Sequence, residues 1–260
     1  MNANDWTPYA AFANELADAA RIHVMKYFKT DIAAERKNDQ TPVSIADRET
    51  EQVMRELINT RFPDHGIIGE EFEAVQSGND LCWALDPIDG TKSFLTGKPT
   101  FGILIALLYQ NTPVLGLIDT PVLQERWLGI HNHGSTHNAN VCITSKNKSL
   151  SNAWIHATTI DMFDDTERLV FNAVTKRARG RLFGADCYAY GLLASGHTDI
   201  VMEADMATYD YLALVPVVEN AGGCITDWAG APLTLNSGTQ VLATACTALH
   251  EQVLTIIDNP

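Results

Sequence analysis

The stretch from Leu81 to Thr91 constrains the fold more than any other part of the chain. Leu81-Cys82-Trp83-Ala84-Leu85 is a short apolar run, and it ends at Asp86-Pro87-Ile88-Asp89-Gly90-Thr91. Five apolar residues bounded by turn signals read as a buried strand. That strand must therefore end by exposing a carboxylate, at a point where proline fixes the backbone and removes a donor. A second carboxylate follows three residues on, where a turn can aim it at the same place. The carbonyl of Ile88 lies between them as a possible third oxygen, and Gly90-Thr91 would open a short helix with free N–H groups. Oxygens beside a helix N-terminus suit a hard cation that bridges to a phosphate. An Asp-capped turn accounts for the same residues without a ligand, so the run alone leaves both readings open.

The rest of the pattern places this run in a layered fold. Thr7-Pro8 reads as a helix start with a capping hydroxyl, and Phe12, Leu16 and Ala20 recur at helical spacing. A second helix is expected from about Ile45 to Phe62. Strands are expected at Ile67-Ile68, Gly102 to Tyr109, Val114 to Thr120 and Glu125 to Ile130, the last entering a polar loop from His131 to Asn140. Ser145 to Asn152 reads as a linker, which sets a boundary between residues 1–146, an α+β half, and 147–260, an α/β half. The second half reads as strand (Ala153 to Ala157), helix (Thr166 to Arg177), helix (Cys187 to Ala194) and strand (Ile200 to Glu203). A helix from Tyr209 to Ala221 follows, which Pro216 would bend or whose start it would shift, then a strand (Val241 to Thr244) and a helix (Thr247 to Ile257). The class is α+β with several layers.

Composition narrows the function. The formal charge of −14 comes without any stripe of Lys and Arg, which argues against nucleic acid as a partner. An anionic substrate would need a local cation to overcome the average field. Five widely spaced cysteines with no Cys-x-x-Cys pair exclude a zinc ribbon and read as reduced core residues. The N-terminus lacks a signal peptide, and no apolar run approaches the roughly 20 residues of a membrane span. A soluble cytoplasmic protein without a membrane partner is expected.

Two more acidic signals are weak when taken singly. Glu70 in Gly69-Glu70-Glu71 reads as a solvated strand end, and Asp210, between Tyr209 and Tyr211, as a helix cap. In order and spacing, however, Gly69-Glu70-Glu71, Asp86-Pro87-Ile88-Asp89-Gly90-Thr91 and Tyr209-Asp210 with Ala221-Gly222-Gly223 resemble the inositol-monophosphatase-like phosphatases over essentially the whole chain. The resemblance implies an αβαβα sandwich of the inositol monophosphatase/fructose bisphosphatase type, usually a homodimer, acting on a small phosphorylated substrate. It also implies two or three Mg²⁺ per site, held by Glu70, Asp86, the Ile88 carbonyl, Asp89 and Asp210. Asp47 and Thr91 would orient the attacking water together with Glu70, Gly90 and Thr91 would hold phosphate oxygens, and Lys37 to Ser44 would be a mobile loop that completes the site.

Within the family the chain is most similar to the histidinol-phosphatase branch. The matches are Lys92-Ser93-Phe94 with Gly97 to Gly102, Asp186 to Tyr190, and Tyr209 to Pro216. The activity implied is hydrolysis of L-histidinol phosphate in histidine biosynthesis. An inositol, sugar or nucleotide monophosphatase and a catalytically silent regulatory homologue are the alternatives, and the silent one should have lost a carboxylate ligand. Histidinol phosphate carries an ammonium and an imidazole, so carboxylates at Asp186 and Glu203, which match positions near the substrate, would favour it. His131, His133 and His137 read as a solvent-facing hairpin rather than a zinc site. Ser93 and Ser195 lack a nucleophile-elbow setting, and Trp83, Trp127, Trp154 and Trp228 read as core.

Overall fold

The structure is a computed structural model that describes residues 5–30, 35–36, 42–43, 45–76 and 78–260. The chain opens with α1 (Thr7–Tyr27), a small ladder of β1 (Glu35–Arg36) and β2 (Pro42–Val43), and α2 (Ile45–Arg61). A seven-stranded sheet follows, in the order β3 (Gly66–Gly69), β4 (Leu81–Asp89), β5 (Gly102–Tyr109), β6 (Thr112–Thr120), β7 (Glu125–Ile130), β8 (Gly134–His137) and β9 (Asn140–Cys142). β3 runs parallel to β4 and the other neighbours are antiparallel. The short helix α3 (Thr91–Leu95) interrupts the path from β4 to β5.

After residue 142 the chain enters α4 (Asp165–Thr175), α5 (Tyr188–Ala194), α6 (Thr208–Tyr211), α7 (Leu214–Asn220), α8 (Thr247–Asp258) and a second, mixed sheet. Its strands are β10 (Trp154–Ala157), β11 (Gly180–Phe183), β12 (Ile200–Glu203), β13 (Cys224–Thr226) and β14 (Val241–Thr244), in spatial order β11-β10-β12-β14-β13.

Burial fixes the layering. One face of the first sheet packs its Ile103, Ile105 and Leu117 under Phe12, Leu16 and Ala20 of α1 and Met54 and Ile58 of α2. Its other face meets α5 and α7, which also cover the second sheet: Leu104, Ile118, Trp127, Tyr190, Val217, Val201 and Ala243 form one continuous cluster. The far face of the second sheet lies under α4 and α8. The order is therefore helix, sheet, helix, sheet, helix. β5 and β6 are covered on both sides, which is why they read as unbroken apolar runs rather than alternating ones. All five cysteines are free thiols. Among the described residues no helix is long and apolar enough to cross a membrane.

Several local expectations need correction. The first helix is preceded by Trp6 rather than capped by Thr7; the Asp5 carboxylate takes the Thr7 N–H instead, at 3.1 Å. Half of the segment from His131 to Asn140 is strand, β8 paired onto β7 and the start of β9 paired onto β8, and His137 stacks on Trp127 with ring centroids 4.5 Å apart. The helix expected over Tyr209 to Ala221 is two helices, α6 and α7, and Pro216 sits in the first turn of the second, where its missing N–H costs nothing. β11 and β13 carry too little alternation to be seen. Trp154 is not core: it is 37% exposed, and Arg179 lies over its ring at 5.1 Å.

α7 lies unusually close to the first sheet. A Cβ on Gly129 of β7 would come within 2.2 Å of the Pro216 carbonyl oxygen, and Ser135 of β8 donates its hydroxyl to the Val217 carbonyl at 2.8 Å. Gly129→Ala should therefore overpack this contact and cost about 1–3 kcal/mol. Thermal melting should show the loss at roughly 2–4 °C per kcal/mol, and an unchanged midpoint would mean that α7 can lift without penalty.

Candidate active site

Carboxylates from four separate stretches of chain meet beside α3. Asp86, Asp89 and Asp210 form one group and Asp47, Glu70 and Glu71 another, each with one oxygen per residue lying within 4.8 Å of the others. The two groups adjoin, since the charge of Glu70 acts on both Asp86 and Asp210. Between Asp86 and Asp89 the register against β5 shifts: Asp86 opposes Leu104 and Asp89 opposes Gly102, one residue more on β4 than on β5. Such a bulge re-aims side chains, and here it brings two acids of one strand to one point.

Main-chain N–H groups fix the carboxylates. Asp86 Oδ1 accepts from Ile88 at 2.9 Å, Asp89 Oδ2 from Cys187 at 2.7 Å and Asp210 Oδ2 from Ala207 at 2.8 Å. Asp210 thus accepts the N–H at the start of α6 and faces the cluster at once, so capping and membership of the cluster are compatible at this residue. Glu70 is placed from behind. Glu51 accepts from the Glu71 N–H at 2.8 Å and from Arg55 Nε at 2.7 Å, while Arg55 also donates to the Phe72 and Glu73 carbonyls. Gly69 leaves room for Glu51, whose Oε1 would lie 2.1 Å from a Cβ there. Thr91 donates its hydroxyl to the Ile88 carbonyl at 3.3 Å.

The charge balance of this cluster is unfavourable as it stands. Burial, then repulsion from Glu70, Asp89 and Asp210, pushes Asp86 well above the usual carboxylate range. Burial, then Asp186 and Asp210, does the same to Asp89. Burial lifts Asp210 to about 7 despite its bond from Ala207. Clustered acids with only hard oxygen donors are what a divalent cation such as Mg²⁺ relieves, so the donor set fits that group.

The cluster opens into a cleft of about 530 Å³. Glu70, Gly90, Thr91 and Ser93 line one wall, and Thr158, Thr159, Asp161 and Asp186 the other. Gly90 has φ +81°, and a Cβ on it would strike Asp186 at 2.7–3.1 Å, so only glycine lets the two walls close here. Asp186 is 7% exposed, and its Oδ2 accepts from both Ser93 and Thr100 at 2.6 Å. Lys98 reaches across to the Gly184 carbonyl. Glu203 lies one layer behind the cleft, 3% exposed, holding the Thr158 N–H at 2.7 Å and the Tyr190 hydroxyl at 2.9 Å. The proposed loop from Lys37 to Ser44 falls almost entirely outside the described residues. Sequence reasoning gave no site role to Glu71, although it adjoins Glu70, nor to Ser93 and Thr100, although both lie in the matched motifs, nor to Asp161, whose only signal is its place in the fold.

The sequence profile of the inositol monophosphatase family matches residues 5–259. This chain belongs to the inositol monophosphatase family. Its relatives include the chloroplastic bifunctional phosphatase IMPL2 of Arabidopsis thaliana, 42% identical over 95% of this chain and 74% of that protein. A histidinol-phosphatase of Chlorobaculum parvum is 33% identical over 97% and 98%. An inositol monophosphatase structure from Zymomonas mobilis superposes with a TM-score of 0.90, at 37% identity over 97% and 98% of the two chains.

For this family member, Asp89→Asn should lower activity at least about a hundredfold while changing stability by less than about 1 kcal/mol. The amide oxygen can still accept from Cys187, and one repelling charge is gone. A variant that unfolds readily yet turns over normally when folded would make Asp89 a turn residue only. The raised Asp210 predicts a pH effect with a definite sign. The folded protein holds a proton that the unfolded chain has released above about 4, so this contribution is lost as pH rises. Chelated wild type should lose stability relative to Asp210→Asn up to a pH of about 7, and Mg²⁺ should remove the difference. Parallel melting curves with and without chelator across that range would contradict it.

Proposed function

We propose that this phosphatase hydrolyses L-histidinol phosphate to L-histidinol and phosphate, the step expected in histidine biosynthesis. The observation that carries the substrate assignment is Asp186, a buried carboxylate in the cleft wall against Gly90, where a cationic leaving alcohol would lie. Relatives named histidinol-phosphatase at 30–34% identity support the same reading. The inositol monophosphatase reading rests on the 37% identical structural neighbour and on relatives of that name at 30–32% identity, and differs in having a neutral leaving group.

Glu70, Asp86, Asp89, Asp210 and the Ile88 carbonyl would hold Mg²⁺, which supplies Lewis acidity at the phosphoryl group and neutralises the clustered carboxylates. The residues of the chain do the remaining work. Glu70, Asp47 and the Thr91 hydroxyl orient the attacking water and draw its proton away. The N–H groups of Gly90 and Thr91 take phosphate oxygens, and no covalent intermediate is required. Asp186 holds the ammonium of the leaving alcohol, and Ser93 and Thr100 hold Asp186. Glu203 supports the wall through Thr158. A homodimer in the cytoplasm is part of the same proposal.

Excess EDTA should abolish phosphate release and Mg²⁺ should restore it; full turnover in EDTA would refute the metal assignment. The ratio of kcat/KM for histidinol phosphate to that for inositol 1-phosphate should be large. A desolvated ammonium–carboxylate contact is worth ~1.5–3 kcal/mol, about ten- to a hundredfold. Asp186→Asn, which keeps an acceptor for Ser93 and Thr100, should narrow that ratio. Equal wild-type rates would overturn the substrate while leaving the phosphatase chemistry intact.

A further inference from the structure

The cleft is larger than a phosphate needs, and its outer part has no role in what has been described. Asp161 lines that part. It sits on a single turn, Ile160–Met162, that follows β10, and it is exposed. Both sides of the turn are pinned: Thr159 Oγ1 accepts from the Asp161 N–H at 3.2 Å, and Glu203 accepts from the Thr158 N–H. The Asp161 carboxylate receives only a long contact, 3.5 Å from the Thr159 hydroxyl. A negative charge is thus held in place at the mouth with its hydrogen-bonding capacity unspent.

We infer that Asp161 is a specificity-determining residue that accepts the imidazole N–H of the leaving alcohol, an inference that rests on the histidinol phosphate reading above. The covalent order of that substrate matches the depth order of the two acids. The ammonium hangs on the second carbon from the ester oxygen, and the ring lies beyond the third. Asp186, buried beside Gly90, is placed for the first group, and exposed Asp161 for the second. Two cations share the cleft, Lys92 and Lys98. Lys98 is engaged with the Gly184 carbonyl and Lys92 is exposed; of the acids that line the cleft, Glu70, Asp161 and Asp186, Asp161 is the exposed one. A neutral or protonated imidazole presents an N–H to such an acceptor, and the protonated ring adds a charge that no inositol hydroxyl carries.

The test compares histidinol phosphate with O-phosphoethanolamine, which keeps the ammonium and lacks the ring, and with inositol 1-phosphate. In Asp161→Ala, kcat/KM for histidinol phosphate should fall about three- to tenfold, mostly through KM, because the pair is solvent-exposed. The value for O-phosphoethanolamine should stay within about twofold, and Asp161→Glu should recover part of the loss. An equal fall on both amines, or none on histidinol phosphate, overturns the role of Asp161 while the substrate reading stands. A wild type that does not prefer histidinol phosphate to inositol 1-phosphate overturns the substrate reading and this inference with it.

Discussion

Repulsion among buried carboxylates is the constraint on which the rest of the structure depends. Asp86, Asp89 and Asp210 are crowded into one place and each is driven toward its neutral form, first by burial and then by neighbouring carboxylates, Glu70 and Asp186 among them. Left to themselves such groups would rotate apart or draw in water. What stops them is a main-chain N–H on each, from Ile88, Cys187 and Ala207, the bond from Cys187 joining residues 98 apart in sequence. Because those donors belong to a strand end, the start of α5 and the start of α6, the site cannot form until both sheets and the helices between them are in place. The fold is in this sense a device for aiming amides.

The same logic closes the cleft. Cys187 binds Asp89, Ser93 and Thr100 bind Asp186, and Lys98 binds the Gly184 carbonyl, so the segment from Gly184 to Cys187 is stitched to the α3 region by both side chains and backbone. Gly90 sits at the middle of this seam, where any side chain would meet Asp186. Two further acids support this wall from behind. Glu51 and Glu203 spend their oxygens on main-chain N–H groups, Arg55 and Tyr190, and keep the cleft-facing residues in position from behind.

Much of this was legible in the sequence because it is local. A buried apolar run ending in Asp86-Pro87-Ile88-Asp89-Gly90-Thr91 announces a strand end loaded with oxygen, and β5, β7, β12 and β14 fall where their apolar runs stand. Family resemblance, not periodicity, joined Glu70 and Asp210 to that run, since each alone looks like a solvated or capping acid. What stayed hidden is non-local. The break between α6 and α7 was signalled only by Pro216, which could equally have bent one helix, because the stretch around it is apolar on every side. The edge strands β11 and β13 owe their existence to their neighbours. Trp154 misled because an indole looks buried by composition, whereas Arg179 covers it at the surface. Ser93, Thr100 and Asp161 are ordinary residues until the second half of the chain folds back over the first.

The pinned carboxylates also act as length gauges. Each Asp turns one oxygen to a fixed amide and can show the other to the cluster, so the distance from backbone to amide is set by a side chain with a single methylene. Glutamate at any of the three positions would carry its head about 1.5 Å farther, roughly one C–C bond, and could satisfy the amide or the cluster but not both in register. Asp86, Asp89 and Asp210 are therefore not interchangeable with the longer acid, although charge and chemistry are the same. Glu70 hangs just past the end of β3, outside the group of three aspartates, and there the longer acid already meets its neighbours Asp47 and Glu71.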